Sequence, residues 1–571
     1  MTRRLLALAA ALLALAGCST VPGSSPTVQI TQAPVRPAED VGIEPLGPEP
    51  GATPEEIVRN FIDAAASTVR GHPVAAEYLA PEAAREWSDA EGITIISPDY
   101  ATVATEAGAV QVTANLVGTV DGRGIFSIAA PGVFTREFTL EEVDGEWRIT
   151  NPADGLVMLE PDFERIYDQL DLYFLDPTQQ QLVPDPRYLI TGEAQPTTLV
   201  EKLLEGPSSA LAAGVNNPVG GVQLERTITV DGQNATVELG NLPAEPGPQL
   251  SEICAQLVWT LTQVDAQRIR TVTVTVDGEP VEGVPQRMST DDWSGYAPDA
   301  APLESIGHYL DAGALRTVTS GEPAPGPAGQ GAYGLVSAAI SADTRTGQLS
   351  FLAGVRPEGG GAALLAGPYG GELVPVVTGG TLSAPTVAAT RPEVWVLRDG
   401  VDVVRVPSNG PPQAVNVPTL AGLGRAQVLQ LSPDGVRAAL VIDGPQGPRL
   451  YVGTVVRSED GGVAVRDLRE VAPTLSQVVD VAWRDSSTLW LLAGDAGEDR
   501  IVPYSVGVDG WGLTDVRTSG LPGQPTALGA APTRPPLVSA GGTLWQWSGG
   551  TWVTLVRGQE PVRGSEPFYP L

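Results

Sequence analysis

The hydrophobic positions of this chain change period several times along its length. Leu5 to Leu15 is an unbroken run of Leu and Ala, and residues 19–50 then hold seven prolines and few apolar side chains. From there the spacing turns helical, with Val58, Phe61, Ile62, Ala65 and Val69 on one face. Thr53-Pro54-Glu55-Glu56 opens that helix as a capping box with proline at the first helical position. A second helix is expected over Val74 to Ser88. From Ile93 the pattern alternates, as in Val110, Val112, Ala114 and Leu116, with hairpin turns at Asp121-Gly122 and Asp144-Gly145.

A second block follows. Phe163, Ile166, Tyr167 and Leu170 keep helical spacing and lead into Leu172-Tyr173-Phe174. Thr198-Leu199-Val200-Glu201 reads as another capping box, and Gly206-Pro207 stops its helix. Strands meet at a hairpin at Asp231-Gly232. Leu250, Ile253, Cys254, Leu257, Val258, Leu261 and Val264 form a long apolar stripe at helical spacing. Thr271 to Val276 alternates strictly and ends at Asp277-Gly278.

The last part of the chain repeats. Apolar strands begin at Leu349, Val394, Ala438, Leu489 and Leu537, at spacings of 45, 44, 51 and 48 residues. Shorter apolar strands, such as Val428-Leu429-Gln430-Leu431 and Val478-Val479-Asp480-Val481, precede them. A period near 45 with about four strands per unit predicts a β-propeller. Five blades are visible, and a sixth is expected where Ala314 to Val318 meets the carboxy-terminal strand. Leu431-Ser432-Pro433-Asp434-Gly435 resembles the TolB/WD40-like Ser-Pro-Asp-Gly turn, read here as architecture.

Composition narrows the function. The chain has 571 residues, 42% hydrophobic, with 66 Gly and 52 Pro, so it folds, and with many short strands. A net charge of −33 disfavours DNA or RNA as a partner. Lys202 is the single lysine and follows Glu201, which excludes a Walker A loop and an S-x-x-K pair. His72 and His308 are the only histidines, and neither begins an H-E-x-x-H motif. The two cysteines, Cys18 and Cys254, make no metal knuckle and no disulfide framework. Cys254 lies on the apolar stripe and is read as a buried small hydrophobe. Asp291-Asp292 falls short of a calcium ligand set and reads as an exposed acidic turn. Asn234-Ala235-Thr236 matches a glycosylation acceptor only by a three-residue pattern. No catalytic, cofactor-binding or metal residues are assigned, and no cofactor is expected.

The amino terminus reads as an address. Arg3-Arg4, eleven apolar residues and small residues up to Cys18 form a secretory signal peptide too short to span a bilayer. Leu15-Ala16-Gly17-Cys18 resembles the lipobox of bacterial lipoproteins, which implies cleavage before Cys18 and lipidation of its sulfur. The proline-rich stretch after it is a tether of up to roughly 100 Å as polyproline II.

The expected organisation is therefore a signal peptide over 1–17 and a lipidated cysteine with its tether over 18–52. An α+β domain over 53–160 resembles the NTF2-like cone fold. Residues 161–290 resemble an α/β GerMN domain through Tyr173-Phe174, Leu203-Leu204-Glu205-Gly206-Pro207 and the Val272 to Gly278 strand. A linker over 291–309 leads to an all-β propeller of five or six blades over 310–571. In that order, with lysine nearly absent, the whole resembles the LpqB family of actinobacterial lipoproteins. The resemblance implies a protein anchored at the outer face of the cell membrane. It also implies an accessory role to a two-component sensor histidine kinase controlling cell-wall homeostasis and division, by binding the kinase's extracytoplasmic region. Two other classes stay open: a carboxylate-dependent hydrolase of wall glycan, and a sensor holding a small molecule or lipid in the cone or the propeller channel.

Overall fold

The computed structural model describes residues 45–571 apart from 106–107, 243–246, 300–305, 343–345, 496–499 and 557–558. The signal peptide, the lipobox residues Leu15, Ala16 and Gly17, Cys18 and most of the tether lie outside the described residues. Residues from Glu44 onward form one compact unit.

The first helix, Pro54–Ala64, starts as its sequence dictates. Thr53 Oγ1 accepts the Glu56 N–H at 3.3 Å while Glu56 returns a carboxylate oxygen to the Thr53 N–H at 2.8 Å. Its buried face, Ile57, Val58, Phe61 and Ile62, packs on a curved set of strands. Their order is Glu146–Ile149, Val133–Val143, Ala109–Val120, Ile93–Ile96, Leu156–Leu159, the last pair running parallel. The single helix expected over Val74–Ser88 is two short ones, Pro73–Ala76 and Pro81–Glu86. Pro81 has no N–H to continue the first and holds Ala80 extended. The freed Ala80 N–H donates to the Ile149 carbonyl at 2.8 Å, tying the break to the sheet.

The second region also departs from the local pattern. The helix Glu160–Ile166 stops where helical spacing was expected to continue. Tyr167–Leu175 is a strand, because Leu170, Leu172 and Phe174 alternate into the core and pair antiparallel with Leu182–Ile190. The next helix begins at Gln195, not at a Thr198 cap. Pro196 fits only the first turn, so Thr198 lies inside the helix, its N–H bonded to the Ala194 carbonyl at 3.0 Å. Gly206, with φ 93°, ends it as expected. The helix Gly247–Leu261 packs against Tyr167–Leu175 and against Thr271–Val276. Thr271–Val276 runs parallel to Asn234–Gly240. Asp277-Gly278 turns the chain with φ of 53° and 80°, both left-handed, as a two-residue hairpin requires.

The third region holds five four-stranded antiparallel sheets, over 337–379, 386–415, 425–470, 475–515 and 525–554. Each repeated apolar run is the second strand of its sheet. The first strands of successive sheets touch in order, Ser337–Ala342, Thr386–Ala388, Arg425–Leu431, Leu475–Trp483 and Pro525–Gly529. A three-stranded sheet completes the ring. In it the carboxy-terminal strand Ser565–Phe568 pairs with His308–Asp311, which pairs in turn with Ala314–Thr317. Ala314–Thr317 was expected to meet the last strand directly. It is instead the outer strand, because the tight turn at Ala312-Gly313 places His308–Asp311 between the two. Leu571 also joins the first four-stranded sheet, exchanging backbone bonds with Ile340 and Ala342.

Candidate functional site

What the structure brings together from distant parts of the sequence is the join between the three regions. The join is centred on Tyr188, in the strand Leu182–Ile190. Its hydroxyl donates to Asp509 Oδ2 at 2.9 Å, across to the fourth four-stranded sheet of the ring. Asp509 Oδ1 accepts the Trp511 N–H at 3.0 Å, which turns the indole into the other two regions. The Trp511 ring lies 5.0 Å from Phe126, 5.1 Å from Phe163 and 5.8 Å from Tyr188, each edge-on. Gly510 between them has φ 95°, and an added Cβ would meet Ile128 Cβ at 2.8 Å. Only glycine satisfies both demands. Burial raises the Asp509 carboxyl above its usual range, opposed by the Trp511 N–H and the Tyr188 hydroxyl.

A second seam runs through the Ser-Pro-Asp-Gly turn. Asp434 Oδ1 accepts from the Ser432 hydroxyl at 2.5 Å and the Val436 N–H at 2.8 Å. Ser432 Oγ accepts the Arg437 N–H at 2.9 Å. This is the tight connection the sequence predicts, and it does more. It presents Arg437, 6% exposed, whose guanidinium donates to the Pro184 carbonyl at 2.5 Å in the second region. Nearby, Thr454 donates to Ala210 O at 2.7 Å, and Ser486 donates from Oγ to Pro298 O at 2.9 Å and from its N–H to Asp299 at 2.8 Å. Pro298 and Asp299 fall in the stretch expected as a linker; they are docked on the ring. Between the first and second regions, Arg123 donates to Gly206 O at 2.7 Å and Lys202 to Gly122 O at 3.1 Å.

The remaining singled-out residues have structural partners. Cys254 is fully buried, and burial pushes its thiol up to about 12. Asp292 accepts the N–H and hydroxyl of Ser289 at 2.7 and 2.9 Å, which hold its carboxyl below the usual range. The Asn234 carbonyl oxygen accepts from Thr271 at 2.9 Å and Thr273 at 3.3 Å. His308 donates from Nδ1 to Ile306 O at 2.8 Å and bonds the Tyr369 hydroxyl through Nε2 at 3.0 Å where the ring closes, and burial lowers it to about 4. Burial also raises Asp171 and Asp480 to about 7 and Asp299 to about 6. Asp171 and Asp299 belong to the seam with the ring, beside Arg437 and Ser486 respectively. Asp480 accepts the Leu528 N–H at 2.8 Å between two sheets. Sequence reasoning missed Tyr188, Asp509, Trp511 and Arg437; only the turn motif before Arg437 was a signal.

Three family descriptions match the chain in sequence. "Lipoprotein LpqB, N-terminal domain" covers residues 47–164, "Sporulation and spore germination" 171–282, and "Lipoprotein LpqB beta-propeller domain" 313–570. Lipoprotein LpqB of Rhodococcus opacus (strain B4) is 30% identical over 551 residues, covering 92% of this chain and 90% of its own. Lipoprotein LpqB of Thermobifida fusca (strain YX) is 28% identical over 642 residues, covering 97% of each. Among solved structures, TolB from Acinetobacter baumannii covers 61% of this chain and 98% of its own, at 10% identity and a TM-score of 0.32, too low to carry weight. Identity of 30% sustained over 92% of the chain, with all three regions matched in order, places it as a member of the LpqB lipoprotein family.

Proposed function

We propose that this protein is a lipid-anchored accessory subunit on the outer face of the cell membrane. It acts by binding, without catalysis, on the extracytoplasmic region of a sensor histidine kinase that controls cell-wall homeostasis and division. The anchor is the acylated Cys18 after cleavage of the Leu15-Ala16-Gly17 lipobox, and residues 18–52 are its tether. The observation that carries the reading is the join itself. Tyr188, Trp511 and Arg437 weld three regions into one body, so a contact made on any face is transmitted as a rigid displacement. A welded body on a membrane tether meets a membrane partner at raised effective concentration, so modest affinity suffices. Its effect on signalling then comes from preferring one conformation of the kinase over another.

The test is kinase output in cells whose only copy is wild type, Cys18→Ser, or truncated after the first region. Loss of regulation in both altered forms is expected. Unchanged output in the truncated form would overturn the reading.

A further inference from the structure

Between the first and second regions lies a cavity of about 500 Å³, within the range that holds small organic ligands. Its two walls come from different regions: residues 68–72, 89–93 and 120–124 on one side, 188–195 with Thr198 and Lys202 on the other. Ile93, Leu156 and Tyr188 give it apolar surface. Its polar groups are under-used. His72 is 2% exposed and binds Asp89 Oδ2 through Nδ1 at 2.7 Å, yet Nε2 has no partner. Gln195, also 2% exposed, gives its amide N–H to Asp168 at 2.8 Å and leaves Oε1 unpartnered. The Tyr167 side chain also lines the cavity and is only half-buried. Native interiors rarely leave buried groups unmatched, and two on one cavity point to a missing molecule.

The charge pattern narrows the ligand. Arg70 lines the cavity and donates to Thr198 Oγ1 at 3.2 Å, with no carboxylate in ion-pair range among the described residues. The acids on the same wall are occupied: Asp89 by His72, and Asp121 by the N–H groups of Arg123 and Ile125. The exposed Glu193 is left at the edge.

We propose that this cavity binds a small hydroxylated organic acid, its carboxylate on Arg70 and its hydroxyl or amide groups on Tyr167, Gln195 and His72. Hydroxyls suit the site because they can both donate to Gln195 Oε1 and accept from Tyr167. The site is neither within the first region alone nor in the ring's channel, and it does not depend on the kinase reading.

The test is calorimetric titration of the full chain in detergent micelles with D-glucuronate, N-acetylneuraminate and, as the uncharged control, D-glucose. At least one acid is expected to bind with a Kd at or below ~1 mM, and glucose about tenfold more weakly. Tyr167→Phe keeps the ring stacked 4.8 Å from Phe163 and should weaken binding roughly fivefold. Arg70→Gln should reduce the acids to the level of glucose. Circular dichroism of each variant verifies that it folds. Failure of both acids to bind, equal binding of glucose, or wild-type affinity in both variants would overturn the proposal.

Discussion

The hydroxyl of Tyr188 and the carboxylate of Asp509 are separated by 321 residues in sequence and by 2.9 Å in space. One belongs to a strand of the second region and the other to a turn of the ring. Through the neighbouring Trp511 the same turn reaches the first region, so one short loop holds all three together.

Removing that loop's grip should cost stability and change how the protein unfolds. Trp511→Ala is expected to destabilise by about 3 kcal/mol, since a large ring leaves a packed aromatic cluster. In urea, wild type should unfold with the three regions coupled. The variant should show the first region separating earlier, read by limited proteolysis followed by mass spectrometry. A variant with wild-type protease resistance would mean that the cluster does not couple the regions.

Close approach at the second seam makes a sharper structural prediction. A Cβ on Gly214 would lie 2.5 Å from Thr454 Cγ2 and 3.0 Å from Val436 Cγ1. Gly214→Val should therefore push the second region off the ring without damaging either core. Small-angle scattering should report a larger radius of gyration with circular dichroism unchanged; an unchanged radius counts against the seam.

Arg437 and Asp434 form a buried pair at 3.9 Å, 6% and 1% exposed. Arg437→Ala strands the carboxylate and should cost about 3 kcal/mol. Asp434→Asn added to it should restore part of that loss, because the uncompensated charge is gone. Chemical denaturation of the two single variants and the double variant measures this coupling.

Asp480 predicts a pH dependence with a definite sign. Its carboxyl is raised to about 7 in the fold, chiefly by burial and then by Glu566, against an ordinary value near 4. The folded protein therefore keeps a proton that the unfolded chain releases. Stability from this group is complete below about pH 4 and is lost as pH rises through about 7. The loss is at most about 4 kcal/mol, reduced by the solvent that still reaches the side chain. His308, lowered to about 4, works oppositely, its contribution being lost as pH falls from about 6.5 towards 4. Asp480→Asn should lessen the fall between pH 4 and 7 in thermal unfolding, leaving the part due to Asp171 and Asp299 and the His308 limb in place.

Cys254 offers an internal probe. Fully buried and raised to about 12, its thiol should resist alkylating reagents in the folded protein and react on unfolding. Labelling at the same rate with and without urea would show that the apolar face of the helix Gly247–Leu261 is not packed on the strands Tyr167–Leu175 and Thr271–Val276.

Much of this fold is legible where the signal is local. The Thr53–Glu56 box, the stripe over 250–264 and the spacing near 45 residues each report a period that burial imposes on neighbours in sequence. Local patterns misled where a neighbouring constraint outranked them. Pro81 broke a helix, Pro196 moved a start from Thr198 to Gln195, and pairing with Leu182–Ile190 turned Leu170 into strand. The joins were illegible because nothing in the few residues around Asp509 or Arg437 encodes a partner hundreds of positions away. The cavity is likewise built from two regions, so neither His72 nor Gln195 stood out alone.

The central claim is that the anchored body docks on a sensor kinase outside the cell. The direct measurement is photo-crosslinking of the full, membrane-anchored protein in its native membrane, with probes placed on the outer strands of the ring, and identification of the captured neighbour. The account predicts capture of the extracytoplasmic region of a sensor histidine kinase, lost when Cys18→Ser frees the protein from the membrane. Capture that never includes such a kinase, or that is undiminished in the Cys18→Ser form, would contradict it.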